Sequence, residues 1–491
     1  MSGTVKVEDH LARIAEAPRG PKIAAFFDYD GTVITGYSAS AFYRKRIRER
    51  EIGPIELAET LWMNLLGIRT EKEFAEMLDL SLASWRGRTE EEMERLGASL
   101  FRDEVASQLH TEVWQIVEAH RAAGHTIVLA SSATRYQLAP IGRDLRADHL
   151  LYTRLEVVDG KLTGRPEGIP LWGLGKARAV RALAAAHDID LRASFGYANG
   201  DEDVLFLESV GNPTAVSPGR GLRDEAATRG WPVLQCKPRG KGPGLTDVLR
   251  TAAFYGGVAA GAGTGLGLGL LNRSKRQAVD LSLALATDMG LALAGVDVKV
   301  ISGAEHLWSA RPCLFLINHQ SKMDPFLFAK IVRSGFTGVM KAEAKNVPGF
   351  GQLFQFADVA FIDRGNFAQA KDALAGAVTK LKEEGLSIAM SPEGTRSATP
   401  ALGEFKKGAF HIAMQAGVPI VPVVFRNAGE IQWRGAQTIR PGTVETVVLP
   451  PVDTSGWSVK TLNEHVAEVR GMYLDTLARW PGSESSKQED A

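Results

Sequence analysis

Short, largely apolar runs that end on polar residues recur through the first half of the chain. Ile23–Phe27 stops at Asp28, Thr126–Ala130 stops at Ser131, and Ala193–Tyr197 leads into Asn199-Gly-Asp-Glu-Asp203. Runs bounded in this way predict buried strands, and an open parallel sheet gathers its ligands at the carboxyl ends of such strands. Between the first two runs, over about residues 38–109, the spacing becomes helical: Leu57, Leu61, Leu65 and Leu66, then Phe74, Met77, Leu78 and Leu82. The pattern predicts alternating strands and helices with an all-helical insert after the first strand.

Pro238-Arg-Gly-Lys-Gly-Pro-Gly244 interrupts this alternation and marks a domain boundary. Beyond it, Thr251–Asn272 carries no charge, between Arg250 and the basic group Arg273, Lys275 and Arg276. On a helix, Gly257, Gly261, Gly265 and Gly269 form one smooth face, with Gly263 and Gly267 on a neighbouring line. Small faces favour close helix packing in membranes, and the run is long enough to span a bilayer core. Its glycines also weaken a helix, so a flexible linker is the alternative. A helical stretch, Gln277–Leu293, precedes a second alternating region that opens with Cys313-Leu-Phe-Leu-Ile317 and runs to about Leu449. Strand candidates there lie near Asp358–Ile362, Ser387–Met390 and Pro419–Phe425.

The expected division is therefore an α/β domain over 20–236 with its helical cap over about 38–109, a linker or membrane-contact segment over 237–276, a second α/β domain over 277–475, and a disordered polar tail over 476–491. The length of 491 residues suits several domains. Lys+Arg and Asp+Glu each total 57, and this neutrality argues against a nucleic-acid partner. Two distant cysteines, Cys236 and Cys313, argue against a disulfide framework or a cysteine-based zinc site and suit a reducing cytoplasm.

Asp28-Tyr-Asp30-Gly-Thr32 places two carboxylates two residues apart at a strand end, on one side of an extended chain, with Gly31 permitting the turn. One can attack phosphorus while the other moves a proton. Two anions facing a phosphate call for a divalent cation and positive groups. Ser131, Lys176 and the acidic group around Asp201 and Asp203 are the available partners.

These motifs, together with Leu129-Ala-Ser-Ser-Ala133 and Gly211-Asn-Pro-Thr-Ala-Val-Ser-Pro218, resemble the haloacid dehalogenase superfamily, in particular its phosphoserine-phosphatase-like branch. The resemblance implies a Rossmann-like hydrolase core with a helical cap. It implies Asp28 as the nucleophile forming an aspartyl-phosphate, Asp30 as general acid and then base, and Ser131 and Lys176 as phosphate ligands. Mg²⁺ would be held by Asp28, Asp30, Asn199 and Asp203. Asn199 stands where that family usually has aspartate, and a neutral ligand lowers metal affinity. A weakly active or regulatory binding module is therefore the alternative to a working phosphatase.

In the second region, Asn318-His-Gln-Ser-Lys-Met-Asp324-Pro follows directly on an apolar run. His319 and Asp324, five residues apart, do not face one another on a regular helix, so the spacing fits a turn into a helix start. An aspartate on one imidazole nitrogen lets the other accept a proton from an alcohol, and a substrate that supplies the hydroxyl removes the need for a serine. Glu393-Gly-Thr-Arg396 joins an arginine, a hydroxyl and a close-approach glycine, with Lys341 and Arg364 as further cations for the same anion.

This ordered set, with Phe361-Ile-Asp-Arg364, Phe405-Lys-Lys-Gly-Ala-Phe410 and Val418-Pro-Ile-Val-Pro-Val-Val424, resembles the glycerolipid acyltransferases, most nearly the 1-acyl-sn-glycerol-3-phosphate acyltransferases. The resemblance implies His319 as general base, Asp324 as its orienter, and Lys341, Arg364, Glu393, Gly394, Thr395 and Arg396 in binding the phosphate of lysophosphatidate. Acyl-CoA or acyl carrier protein would be the donor. A lipid acceptor implies a peripheral or re-entrant position on the cytoplasmic side of a membrane, through the glycine-rich segment or the helix after it. That segment could also pair two copies as a homodimer.

Overall fold

The computed structural model describes residues 3–52, 70–237, 244–346, 350–362 and 367–481. The chain forms two compact units, Met1–Lys241 and Gly242–Ala491.

The first unit is built on a seven-stranded sheet. Its strands are β1 (Thr4–Val5), β2 (Ala24–Phe27), β3 (Thr126–Thr134), β4 (His149–Thr153), β7 (Phe195–Ala198), β8 (Asn212–Val216) and β9 (Val233–Leu234), in the order β1-β9-β8-β7-β2-β3-β4. Every pairing is parallel, so all carboxyl ends open on one edge. All four residues of β2 are fully buried, as expected of a central strand. From β2 the chain winds outward through β3 and β4, then returns to β7 on the other side of β2. Asp28 thus lies where the winding reverses, the position at which such sheets bind ligands.

Two features depart from the expected boundaries. The domain does not begin at residue 20: Thr4 and Val5 pair with Val233 and Leu234, and helix Val7–Glu16 follows. The cap is not helical alone either. Helices Ala39–Arg48, Glu71–Ala83 and Glu90–Leu100 are present, the last two opened by capping boxes at Thr70/Glu73 and Thr89/Glu92. An antiparallel hairpin, β5 (Leu155–Val158) and β6 (Lys161–Pro166), joins them. Leu162 exchanges backbone hydrogen bonds with Gly87 and Arg88. Leu57, Leu61, Leu65 and Leu66 lie outside the described residues.

The second unit opens with a helical hairpin, Leu245–Leu271 and Lys275–Ala294. The glycine-rich run is therefore a helix rather than a flexible linker, and a boundary at 277 would cut the hairpin in two. Gly257, Gly261, Gly265 and Gly269 are its buried face. A Cβ on them would come within 2.9 Å of Met289, 2.4 Å of Leu285, 2.3 Å of Ser282 and 2.1 Å of Ala278 respectively, in each case of a backbone atom. The expected homodimer through this face is accordingly corrected: the chain's own second helix occupies it. Gly263 and Gly267 face open space. Outward lie Leu249, Leu266, Leu268, Leu270, Leu271 and Leu293, all exposed. Both helices are long and apolar enough to cross a membrane.

The hairpin leads into a second seven-stranded sheet, β10 (Val296–Ser302), β11 (Leu314–Ile317), β12 (Phe336–Lys341), β13 (Ala360–Ile362), β14 (Ser387–Met390), β15 (Ile420–Phe425) and β16 (Gly442–Val448). The order is β10-β16-β15-β11-β14-β12-β13, parallel except for the β15/β16 pair. β11 is central and fully buried apart from a trace of Ile317. Helix Leu462–Ala478 closes the unit, with Tyr473 donating its hydroxyl to Leu316 O at 2.7 Å. The helix runs past residue 475, and residues 482–491 of the expected tail lie outside the described residues.

Candidate active sites

At the end of β2 the Asp28 backbone N–H donates to Tyr197 O, tying the carboxylate's position to β7. Lys176, in the first turn of helix Leu174–Ala186, donates to Asp28 Oδ1 at 2.9 Å and to Asp203 Oδ1 at 2.5 Å. All three side chains are almost wholly buried. Burial disfavours the ammonium, but Asp203 and Asp28 outweigh it and raise Lys176 above its ordinary value. Asp30 accepts from Ser38 N at 2.7 Å and from Ser38 Oγ at 3.2 Å. Burial lifts its carboxyl to about 7, Asp28 adds to the rise, and Ser38 and Lys176 oppose it. A carboxyl poised near neutrality suits proton exchange with a leaving group and then with water. Ser131 is buried in β3, next to β2, and its Oγ accepts from Ala133 N.

The oxygen-rich side of the site tests the expected Mg²⁺. One side-chain amide atom of Asn199 lies 3.0 Å from Asp30 O, 3.3 Å from Asp28 Oδ2 and 3.0 Å from Thr32 Oγ1. Neighbouring oxygens around a Mg²⁺ with bonds of about 2.0–2.1 Å stand roughly 3.0 Å apart. Asp28 Oδ2, Asp30 O and the Asn199 amide oxygen therefore fit the ion. The same atom turned to nitrogen donates to all three acceptors, so the amide can also satisfy these oxygens by itself. Asp203 is placed differently from the expectation, behind Lys176 as its counter-charge. Asp201 accepts from Leu222 N at 2.6 Å, at the start of helix Arg220–Arg229.

In the second unit, β11 ends at Ile317 and the chain turns before helix Asp324–Val332. Asn318 anchors the turn by a two-way hydrogen bond with Phe425, at 2.9 and 2.8 Å. His319 Nδ1 meets Asp324 Oδ2 at 2.7 Å, and the same oxygen accepts from Gln320 N at 2.8 Å and Ser321 N at 2.9 Å. Asp324 is fully buried while the His319 side chain stays 28% exposed. Nδ1 is committed to the carboxylate, so Nε2 is the nitrogen that can take a proton.

Two wider comparisons bear on these sites. A family of haloacid dehalogenase-like hydrolases matches residues 25–208, and an acyltransferase family matches residues 299–426. Over 224 residues the chain is 31% identical to a probable phosphatase of Mycobacterium tuberculosis, covering 44% of this chain and 76% of that protein. Over 183 residues it is 36% identical to a 1-acyl-sn-glycerol-3-phosphate acyltransferase of Salmonella typhimurium, covering 37% and 73%. This chain joins a haloacid dehalogenase-like hydrolase domain to a 1-acyl-sn-glycerol-3-phosphate acyltransferase domain. A Limnanthes douglasii acyltransferase is 35% identical over 184 residues, 37% of this chain but only 64% of that protein's length.

Within the acyltransferase domain, several expected phosphate ligands are placed differently. Glu393 is buried; its Oε1 accepts from the His319 backbone N–H at 2.7 Å, and its Oε2 from Ser397 Oγ and Gly403 N, both at 2.8 Å. Burial raises its carboxyl, against those hydrogen bonds. Against the expectation of phosphate recognition, both of its oxygens are taken by protein donors, one of them the His319 backbone. Gly394 adopts φ +71°, a left-handed turn that glycine tolerates, and puts Thr395 on the surface beside Arg396. Lys341 ends β12, on the same carboxyl edge of the sheet as His319. Arg364 lies outside the described residues. Sequence reading missed Ser38 in the hydrolase domain and Ser397 in the acyltransferase domain. Ser38 comes back to Asp30 through the turn that follows β2, whereas Ser397 lies within the same local segment as Glu393 and donates to it directly.

Proposed function

We propose that the acyltransferase domain moves an acyl chain from an acyl thioester to the 2-hydroxyl of 1-acyl-sn-glycerol 3-phosphate, giving phosphatidate. The His319–Asp324 pair carries this reading. Nε2 removes the hydroxyl proton as the oxygen attacks the thioester carbonyl; the carbon–sulfur bond then breaks and the departing thiolate takes that proton. Arg396 and Lys341 bind the acceptor phosphate from the same sheet edge. The exposed leucines of the helical hairpin support a position on the cytoplasmic side of a membrane, where such an acceptor resides. His319→Ala is expected to abolish phosphatidate formation from radiolabelled lysophosphatidate and acyl-CoA while phosphate release persists; acyl transfer retained in that variant would remove the base assignment. Leu270→Glu with Leu271→Glu should weaken sedimentation with anionic liposomes, and equal binding would count against the hairpin as anchor.

For the hydrolase domain the proposal is cleavage of a phosphate monoester, a phosphoserine-like or lysophospholipid phosphate. Asp28 attacks phosphorus to form an aspartyl-phosphate as the ester P–O bond breaks and Asp30 protonates the leaving oxygen; Asp30 then draws a proton from the water that attacks this phosphorus, the Asp28–phosphate bond breaks, and inorganic phosphate leaves. Lys176 and Ser131 hold phosphoryl oxygens, and Mg²⁺, when bound to Asp28, Asp30 O and Asn199, would neutralise the phosphate's charge. A second reading, a weakly active or regulatory binding module, is favoured by the amide of Asn199 where a second anionic ligand beside Asp28 would bind metal more tightly. Asp28→Asn separates the two: Mg²⁺-dependent phosphate release that equals wild type would exclude Asp28 as nucleophile.

A further inference from the structure

Three side chains of the first unit converge outside every motif described above. His110 stands at the N-cap of helix Thr111–Ala122, Glu112 lies in that helix's first turn, and Cys236 follows β9 by two residues. One imidazole nitrogen, one carboxylate oxygen and the thiol sulfur all lie within 4.8 Å of one another. His110 and Cys236 are buried and Glu112 is half-buried. Two distant cysteines cannot build a cysteine-rich zinc site, but a single thiolate can serve beside an imidazole and a carboxylate.

The fold orients each of these donors. The His110 backbone N–H donates to Val33 O at 2.9 Å, and its Nε2 meets Thr35 Oγ1 at 3.2 Å. Glu112 Oε1 accepts from Lys237 N at 3.1 Å, and Cys236 N donates to Ser217 Oγ at 3.0 Å. Outer partners of this kind fix the ring and carboxylate positions of metal ligands. Metal bonds of about 2.0–2.3 Å in a tetrahedron set donors roughly 3.3–3.8 Å apart, so shifts of about 1 Å close the group around an ion. Burial, with the Glu112 carboxylate, pushes the Cys236 thiol up to about 12, against Ser217. A divalent cation between thiol and carboxylate removes that repulsion.

We infer that His110, Glu112 and Cys236 form a zinc site, with water as the fourth ligand. Sulfur and imidazole donors favour zinc over magnesium, and a thiolate and a carboxylate together cancel the charge of a divalent ion. Binding forms the zinc–sulfur bond as the thiol proton of Cys236 leaves to solvent. Through the contacts of His110 with Val33 and Thr35, the ion braces the segment after Thr32 against the chain leaving β9. The site is separate from the Asp28 centre and does not depend on the reactions proposed above.

The test titrates the full chain with Co²⁺ in excess Mg²⁺, which keeps Co²⁺ from the Asp28 centre, and then adds Zn²⁺. One equivalent of Co²⁺ should give a thiolate-to-cobalt charge-transfer band that Zn²⁺ abolishes. Cys236→Ala should lose the band, and His110→Gln should weaken Co²⁺ binding by at least about 100-fold. Cys313→Ala, in the other unit, should keep the band. A wild type without the band overturns the inference, as does a band that survives in Cys236→Ala. Should those variants fail to fold, Glu112→Ala at its half-buried position decides: Zn²⁺ in excess Mg²⁺ should raise the Tm of wild type and not of Glu112→Ala. An equal rise in both, or none in wild type, refutes the site.

Discussion

The backbone nitrogen of His319 donates to Glu393 Oε1 at 2.7 Å. Residues from the ends of β11 and β14 are thereby locked together, and β11 pairs directly with β14 along Leu314–Leu316. An imidazole held through both its backbone and its Nδ1 has little freedom to move.

Glu393→Gln is expected to act on turnover rather than on acceptor binding. Both carboxylate oxygens accept from protein donors, so an amide NH₂ at either end faces another donor and leaves it unsatisfied, at a cost of about 1–3 kcal/mol. Chemical denaturation should register that loss, with kcat lowered and KM for lysophosphatidate near wild type. A raised KM with unchanged kcat would restore Glu393 to the phosphate site.

Asn199→Asp should reverse the response of the hydrolase domain to metal. Without Mg²⁺ a carboxylate would face Asp28 Oδ2 and Asp30 O with no proton to donate, so thermal stability in EDTA should fall by about 1–3 kcal/mol. With Mg²⁺ the added charge should bring tighter binding and a larger rise in Tm than in wild type. Identical melting of the two proteins in EDTA and in Mg²⁺ would show that the amide does not occupy this position.

Gly265→Val and Gly267→Val, two residues apart on one helix, should differ sharply. A side chain at Gly265 meets the backbone of Leu281 and Ser282, whereas Gly267 faces open space. The first is expected to cost about 1–3 kcal/mol through overpacking, and the second to stay within about 0.5 kcal/mol. Equal effects in urea titrations would mean that the hairpin is not packed through its glycine face.

Acid should destabilise the hydrolase domain through a buried chain behind Asp28. His10 Nε2 and His120 Nε2 lie 2.9 and 2.7 Å from the Tyr197 hydroxyl, and His120 Nδ1 lies 2.8 Å from His125 Nδ1. Burial lowers all three imidazoles, His10 to about 4 with Arg13 contributing. The unfolded chain then binds more protons than the folded one, so stability is fully present above the ordinary imidazole value and is lost as pH falls toward 4. For His10 alone the loss is about 3 kcal/mol. Unfolding midpoints measured from pH 7 to 4 should fall steadily, and His10→Gln should flatten part of that slope.

Much of both sites was legible in the sequence because each reacting residue follows an apolar run. A buried strand must be apolar along its length, and its carboxyl end is where polarity can return, so Asp28, Ser131, Asn199 and His319 announce themselves by position. Helical spacing likewise exposed the cap. The hairpin of β5 and β6 escaped notice because it is largely exposed, with Glu156, Val157, Val158 and Lys161 outward, and exposed strands need no apolar pattern. Four glycines at helical spacing specify a face for close packing, but not whether its partner comes from the same chain or from another; the turn at Arg273 decided that by folding the next helix back. A glutamate beside an arginine reads equally as a ligand or as a support, and only the inward N–H groups of His319 and Gly403 showed that Glu393 supports. The loop after β15 has no local signal at all. Its place depends on Gln432 accepting from Ser321 and Arg434 donating to the Arg396 carbonyl, more than a hundred and nearly forty positions away, and such long-range contacts follow from chain topology rather than from neighbouring residue types.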